Sequence, residues 1–517
     1  MAKLAGKSRA ADDEYLFIVR RDLSGGQNNR QHASIIPDTQ ADTLTNVDIS
    51  IPGERIRRKG CTVIQDLGAT TITGLFGYDP QGETANLLAT TGATLNRWVG
   101  TGSFVDVPIT MTSGLPTKMI KAYKTPTGDV TLISNGTDNV QEMAPDYTVT
   151  DLGDTNTSPP KTKVMAAYRN RVWALKDDLA YFSDAAPSNW ASSFDRTSNA
   201  YRMPLGEERF ILATRDAGLI FGGKEQIWGL NPTGTTPAAT DKPEKLLDYG
   251  CAAGDTACQV GDDYLYLAFD GVRAIKRTIQ DKLQAGNSYP LSYVLKDEFE
   301  VINWAQIQKA CSVYFDNKYL IALPTGNSTY NNVVWVYYPA SNAWTVITGW
   351  NVGCWATFKV NGEERLYYGE ASADGKVYRA FYGASDNGTA IEYIEIGKAE
   401  DMGQPIKKKC GGELKVVAKP AGNYTVTVQA SFDNGSFNTL GTLSIDGNLI
   451  TFPTTFPVNF YTDAEVYKKF HLDSYGPWYQ IKTKVTHNTV TTNADDLTIY
   501  ETSVITHLEE YIAEEEV

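Results

Sequence analysis

The chain is poor in residues that carry chemistry. Its four histidines, His32, His471, His487 and His507, include no two at zinc-ligand spacing. The six cysteines, Cys61, Cys251, Cys258, Cys311, Cys354 and Cys410, form no CxxC pair and read as reduced, buried thiols of a protein made in a cytosol. No GxSxG nucleophile elbow occurs. The stretches Ser24-Gly25-Gly26 and Phe221-Gly222-Gly223 match neither a P-loop nor a dinucleotide fingerprint. They are turn signals, since glycine serves where φ must be positive. No catalytic residue, cofactor or metal is therefore assigned.

Positive charge is also scarce. With 47 basic and 61 acidic side chains the net charge is −14, and the clusters Arg55 to Lys59 and Lys407 to Lys409 are short. Phosphate binding needs clustered Lys and Arg, so specific nucleic-acid binding is not expected. No apolar run approaches the ~20 residues of a membrane span. MAKLAGKSRAADDE has no apolar signal core, so the Asn-x-Ser/Thr triplets at Asn135, Asn387, Asn423 and Asn434 carry no message.

What the chain does have is strand and turn. Hydrophobic residues are 42% and aromatics 11%, with 29 Tyr and 10 Trp against 18 Phe, a balance suited to strands whose rings are partly buried. Glycine and proline are spread along the chain, which makes turns frequent. Strand pairs begin near Ile72, Met119, Val164, Arg209, Cys258, Ala310 and Gly353, at spacings of 47, 45, 45, 49, 52 and 43 residues. That period suits a four-stranded propeller blade.

The sixth unit shows four strands: Cys311 to Phe315, Tyr319 to Leu323, Val333 to Tyr338 and Trp344 to Ile347. Only three appear in the seventh: Cys354 to Lys359, Arg365 to Glu370 and Lys376 to Phe381. A ring that lacks one strand can close by borrowing it, and Cys61 to Leu67, with Cys61, Val63 and Ile64, is the candidate. Helical spacing after Pro290, at Leu291, Val294, Leu295, Phe299 and Ile302, predicts one short helix between the fifth and sixth units. From Ala390 to about Tyr500 short alternating strands follow, including Leu449 to Phe452, with hairpin turns at Asn434-Gly435 and Asp446-Gly447.

The expected fold is all-β: a propeller of about seven blades, six also fitting, followed by a C-terminal β-sandwich. The expected domains are an extended N-terminal arm over 1–60, the propeller over 61–382, the sandwich over 383–505 and an acidic, helical tail over 506–517. Within the arm, Pro37-Asp38 predicts a short helix towards Leu44.

Several segments resemble a family of tailed-bacteriophage virion proteins built on a β-propeller, of the tail nozzle, hub or head-to-tail stabilisation type. They are the opening RDLSGGQNNR through Pro37 to Arg57-Arg58-Lys59-Gly60, YFSDAAPSNW (Tyr181 to Trp190), LIFGGKEQIWGL (Leu219 to Leu230), and GCAAGDTACQVGDDYLYLAFDGVRAI. Their order spans Asp22 to about Phe381, with a looser likeness in GPWYQIKTKV (Gly476 to Val485). Gln27-Asn28-Asn29-Arg30 departs from the family's Asn-Thr spacing.

The resemblance implies a virion structural protein, made in the host bacterial cytoplasm and assembled as a ring, hexameric by preference, around or at the end of the tail's DNA channel. Its partners would be its own copies and other tail or portal-adaptor proteins, with DNA passing nearby unbound. Asp22, Leu23, Gly25, Gly26, Asn28, Arg30 and Pro37 would form the assembly arm. The alternative is a carbohydrate-binding or glycoside-cleaving propeller that recognises a host receptor. Ser431-Phe432-Asp433-Asn434-Gly435 resembles one Asp-box, a structural turn of such enzymes, but no carboxylate pair stands out.

Overall fold

A computed structural model describes residues 15–508, apart from 69, 92, 215–217, 235–236, 239, 421–422, 447–464 and 491–495. The chain divides into two compact units, one of residues 59–389 and the other joining residues 1–58 to 390–517.

The unit of residues 59–389 is a seven-bladed β-propeller. Blade one comprises Gly74–Tyr78, Asn86–Thr90, Leu95–Trp98 and Val105–Val107. Blade two comprises Lys118–Lys124, Gly128–Ser134, Gln141–Met143 and Val149–Asp151. Blades three, four and six begin at Met165, Glu208 and Cys311 and repeat the four-stranded antiparallel meander. The first strands of successive blades neighbour one another around the ring, except that blade four's meets the 3₁₀ turn Gly254–Thr256 before blade five, and that of blade seven, Val352–Val360, returns to Gly74–Tyr78.

Local sequence explains the hairpins. Arg169-Asn170, Asp177-Asp178, Asp316-Asn317 and Asn361-Gly362 each place two consecutive residues at positive φ, between 48° and 81°. Such turns match the right-handed twist of the strands they join, and Asn, Asp and Gly tolerate the conformation best. Alternate side chains then fill the space between blades. Val130, Leu132, Val172, Ala174 and Trp190 form one such cluster, and burying each large apolar side chain contributes about 1.5–3 kcal/mol.

Blade five has three strands, Cys258–Val260, Asp263–Ala268 and Gly271–Ala274. A helix, Ile275–Ala285, continues directly from the third strand. That strand's open side is satisfied by Ser292, whose Oγ accepts the Val272 N–H at 2.9 Å. The predicted short helix after Pro290 is two turns, a 3₁₀ segment Leu291–Val294 and an α-helix Lys296–Glu300.

Blade seven contains Val352–Val360, Glu363–Glu370 and Lys376–Ala380, and its fourth strand is Cys61–Asp66. Ile64, Leu67, Ile72, Leu75, Phe358 and Val377 share one cluster, so blades one and seven have a common core.

The second unit is a sandwich of two sheets. In one sheet Val466–His471, Lys409–Ala418 and Thr498–Leu508 run antiparallel in that order. Tyr15–Arg20 and Arg55–Arg57 both pair with the far side of Thr498–Leu508, and Val47–Asp48 pairs with Arg55–Arg57. The other sheet orders Thr43–Thr45, Tyr393–Glu400, Ile481–His487, Asn423–Phe432 and Asn438–Asp446. Leu414, Val416, Val426, Val428, Val485, Ile499 and Val504 are buried in it.

Three expectations are corrected. The first sixty residues are not a separate extended arm, since residues 15–58 supply strands to the sandwich. No helix runs from Pro37 to Leu44; after a turn come the strands Gln40–Ala41 and Thr43–Thr45. The β-branched Thr39, Thr43 and Thr45 disfavour helix, and partners at Gly26–Gln27 and Ile394–Ile396 complete the ladders. Thr506 to Leu508 end a strand rather than begin a helical tail. Residues 509–517, the predicted strand Leu449 to Phe452 and the Gly447 turn lie outside the described residues.

Candidate functional site

The seven residues read as an assembly arm fold into their own unit. Asp22 accepts the Ser24 N–H at 2.8 Å, and the Gly26 N–H returns to the Leu23 carbonyl at 2.9 Å, with Gly26 at φ 75°. Leu23, Gly26 and Asn28 are buried. A methyl on Gly25 would stand 2.8 Å from the Thr39 carbonyl oxygen. Asn28 donates to the Gln40 side chain at 2.7 Å, and its Oδ1 accepts the Arg30 N–H at 3.2 Å. Arg30 and Pro37 are exposed.

Long-range ion pairs fix this segment. Arg20 reaches Glu400 at 2.6 Å and Asp38 at 2.9 Å, and Lys398 reaches Asp38 at 2.6 Å. Hydrogen bonds from Lys398 and Arg20 hold the Asp38 carboxyl below the usual range. Arg55 and Glu395, 1% and 5% exposed, pair at 3.3 Å. Glu395 also accepts the Tyr393 hydroxyl at 2.7 Å. Buried pairs of this kind add little net stability, yet removing one partner is costly because the other charge is left bare.

Cys61 and Val63 lie opposite Ala380 and Tyr378, while Ile64 is the extra residue of a bulge. The Tyr368 hydroxyl meets the Cys61 sulfur at 3.2 Å.

The propeller axis is crossed by an ion pair. Lys118 opens the first strand of blade two, Asp255 lies in the turn before blade five, and they meet at 3.0 Å. Blades two and five lie across the seven-membered ring, so the pair spans its interior. Each partner's charge stabilises the other, raising Lys118 and lowering Asp255. Around them burial pushes the Cys258 thiol up to about 11 and the Cys354 thiol to about 12, with Cys311 also well raised. Such thiols stay protonated at neutral pH and are poor nucleophiles and ligands. Among the described residues no group of three His, Cys, Asp or Glu side chains is placed to hold a metal ion.

The Asp-box-like turn is structural. The Ser431 hydroxyl donates to the Gly435 carbonyl at 2.6 Å, and Asp433 accepts the N–H groups of Tyr479 and Gln480 at 2.8 and 3.0 Å.

Sequence reasoning missed a surface on the sandwich. Tyr15 and Phe17 on the first strand, with Ile505 and His507 on its neighbour and Glu413, His471 and Asp473 beyond, line a shallow hollow of about 560 Å³. The Tyr15 and His507 rings lie 4.4 Å apart. Tyr15, Phe17 and Val19 are 58%, 71% and 41% exposed. The signal was the unbroken apolar run Tyr15-Leu16-Phe17-Ile18-Val19, which has no polar face to be its outside.

No family profile and no curated protein matches the chain. Among solved structures, PorZ, an essential bacterial surface component of the type-IX secretion system of Porphyromonas gingivalis, is 12% identical at a TM-score of 0.37, over 65% of this chain and 42% of PorZ. The AfRom2 CNH domain is 12% identical at 0.36, over 62% and 98%. An exo-β-1,3-galactanase from Phanerochaete chrysosporium is 9% identical at 0.22, over 87% and 99%. The fold assignment therefore rests on the strand pairing described above.

Proposed function

We propose that this chain is a non-enzymatic structural protein of a tailed-phage virion, assembling with its own copies as a ring in the tail, at or around the DNA channel. The observation that carries the reading is the ordered series of family-like motifs from Asp22 to about Phe381. The motifs fall at joints of the scaffold. DLSGG forms a turn tied to the Thr39 carbonyl by the Gly25 N–H, and YFSDAAPSNW ends in the fully buried Trp190. LIFGGKEQIWGL supplies two strands of blade four. Gly250 and Gly254 of GCAAGD pass so close to Lys224 and Arg209 that a methyl would lie 1.8 and 2.0 Å from their carbonyl oxygens. A rigid ring bridged by Lys118 and Asp255 suits a platform, and a net charge of −14 repels passing DNA rather than holding it.

Quantitative mass spectrometry of purified particles from the source tests this. A fixed, low copy number relative to the other particle proteins is the expected result. Absence from particles, with the chain free in the soluble fraction, overturns it and turns attention to glycans on the propeller face.

A further inference from the structure

Two edge strands of the sandwich's first sheet each pair on one side only among the described residues. Tyr15–Arg20 pairs with Thr498–Leu508, and Val466–His471 pairs with Lys409–Ala418. Counting across the antiparallel order, these two edge strands run in opposite directions. An edge-to-edge repeat of the same sheet would therefore set one against the other antiparallel, the sense that continues the ladder.

We propose that a second copy of this chain docks in this way, with the open side of Tyr15–Arg20 in one copy against the open side of Val466–His471 in the next. The inference rests on the ring reading above and names its contact.

Edge strands expose unpaired N–H and C=O groups, and proteins commonly blunt them with charge, lysine above all. Val466–His471 carries Lys468, whose Nζ donates to the Thr442 carbonyl at 2.7 Å, and Lys469, which pairs with Glu413 at 2.6 Å. Tyr15 to Val19 is five consecutive apolar residues with no blunting charge. The unlike pairing continues the ladder from the bare edge, whereas either like pairing closes a two-fold that stops at a dimer.

The side chains fit the same geometry. Tyr15, Phe17 and Val19 alternate on the exposed face of one edge, as Tyr467, Lys469 and His471 do on the other, with Tyr467 61% exposed. Antiparallel register with Phe17 opposite Lys469 puts Val19 beside Tyr467 and Tyr15 beside His471. Beyond the pair, Arg21 comes opposite Glu465, and both are exposed. Contacts of this head-to-tail kind make a ring when their rotation closes.

The test is cysteine cross-linking under mild oxidation, applied to the purified full-length chain and to particles. The wild type, whose six cysteines are buried or half-buried, is the background control. The double variant Phe17→Cys with Lys469→Cys is expected to give a ladder of trimers and larger species on a non-reducing gel, with each single variant monomeric. Dimers from either single variant alone would show like-to-like pairing and overturn the proposal. So would the lack of any cross-link above background in both preparations. A ladder from the purified chain without incorporation in particles removes the tail reading and leaves this contact standing. Incorporation without a ladder does the reverse.

Discussion

Closure of the propeller depends on a seam that one methyl group should open. Cys61–Asp66 pairs with Lys376–Ala380, so the strand joins positions roughly 320 residues apart. Closing a loop of that length costs on the order of 5 kcal/mol in chain entropy. Gly375 lies at the end of this seam, at φ +62°, and its carbonyl accepts the Leu67 N–H at 2.9 Å. A Cβ there would stand 1.7 Å from the Gly68 carbonyl oxygen. Because Cβ contacts under 3.0 Å are essentially never seen, the two backbones must part by about 1.3 Å. That displacement breaks the bond to Leu67.

For Gly375→Ala the left-handed backbone costs roughly 1–2 kcal/mol. The lost hydrogen bond adds roughly 0.5–1.5 kcal/mol, and loosened packing at Ile64 and Leu67 brings the whole to about 2–4 kcal/mol. Gly362→Ala is the matched control. It lies in a hairpin of the same blade at φ +81°, with nothing within 4 Å of the added methyl, so it carries only the backbone part. Hydrogen exchange read by mass spectrometry over residues 61–66 separates the two. Exchange should rise roughly thirty- to several-hundredfold in Gly375→Ala and only about five- to thirtyfold in Gly362→Ala, at 1.4 kcal/mol per decade. Equal protection in both variants would refute the claim that this seam holds the ring shut.

Three further outcomes follow from the sandwich. Glu395→Leu strands the buried Arg55 and should lower stability by about 3–5 kcal/mol, while Arg55→Met with Glu395→Leu should recover most of it; thermal unfolding of both variants checks this. His487 is buried, with its Nδ1 3.0 Å from the Thr425 carbonyl oxygen and Arg57 nearby, and burial holds it below the ordinary histidine value. Below about pH 6.5 the unfolded chain then binds more protons, so stability should fall on acidification by up to about 1.4 kcal/mol per pH unit. Unfolding titrations from pH 7 to 5 should show that slope, and His487→Gln should flatten it. Lys409 is fully buried with Nζ 2.6 Å from the carbonyls of Gln404 and Tyr479, and Lys409→Met leaves both acceptors bare. A loss of about 1–3 kcal/mol is expected, seen as faster exchange at residues 404–409 and 478–480.

The blades were legible because each is local. A hairpin such as Lys318–Leu323 with Val333–Tyr338 carries its own apolar strands and turn chemistry, and its period survives sequence drift. The closing strand was legible through a deficit, since the seventh repeat was one strand short. The helix Ile275–Ala285 was hidden because it continues a buried strand without a capping side chain, so only Ile275 and Ile279, one turn apart, marked the change of period.

Residues 15–58 were illegible for a different reason. Their strands are two to six residues long, and what makes them strands lies far along the chain. Arg20 pairs with a residue 380 positions away, and Arg55 bonds one 444 away. Neither periodicity nor propensity in a short window carries that information. The order of the chain makes the point physically. Residues 15–58 begin a sandwich whose remaining strands come only after all seven blades, so until residues 390–508 exist the run Tyr15 to Val19 has no ladder to join. Even in the finished sheet it gains a neighbour on one side alone among the described residues. The proposed contact with another copy of the chain would supply the second neighbour that this strand lacks among the described residues.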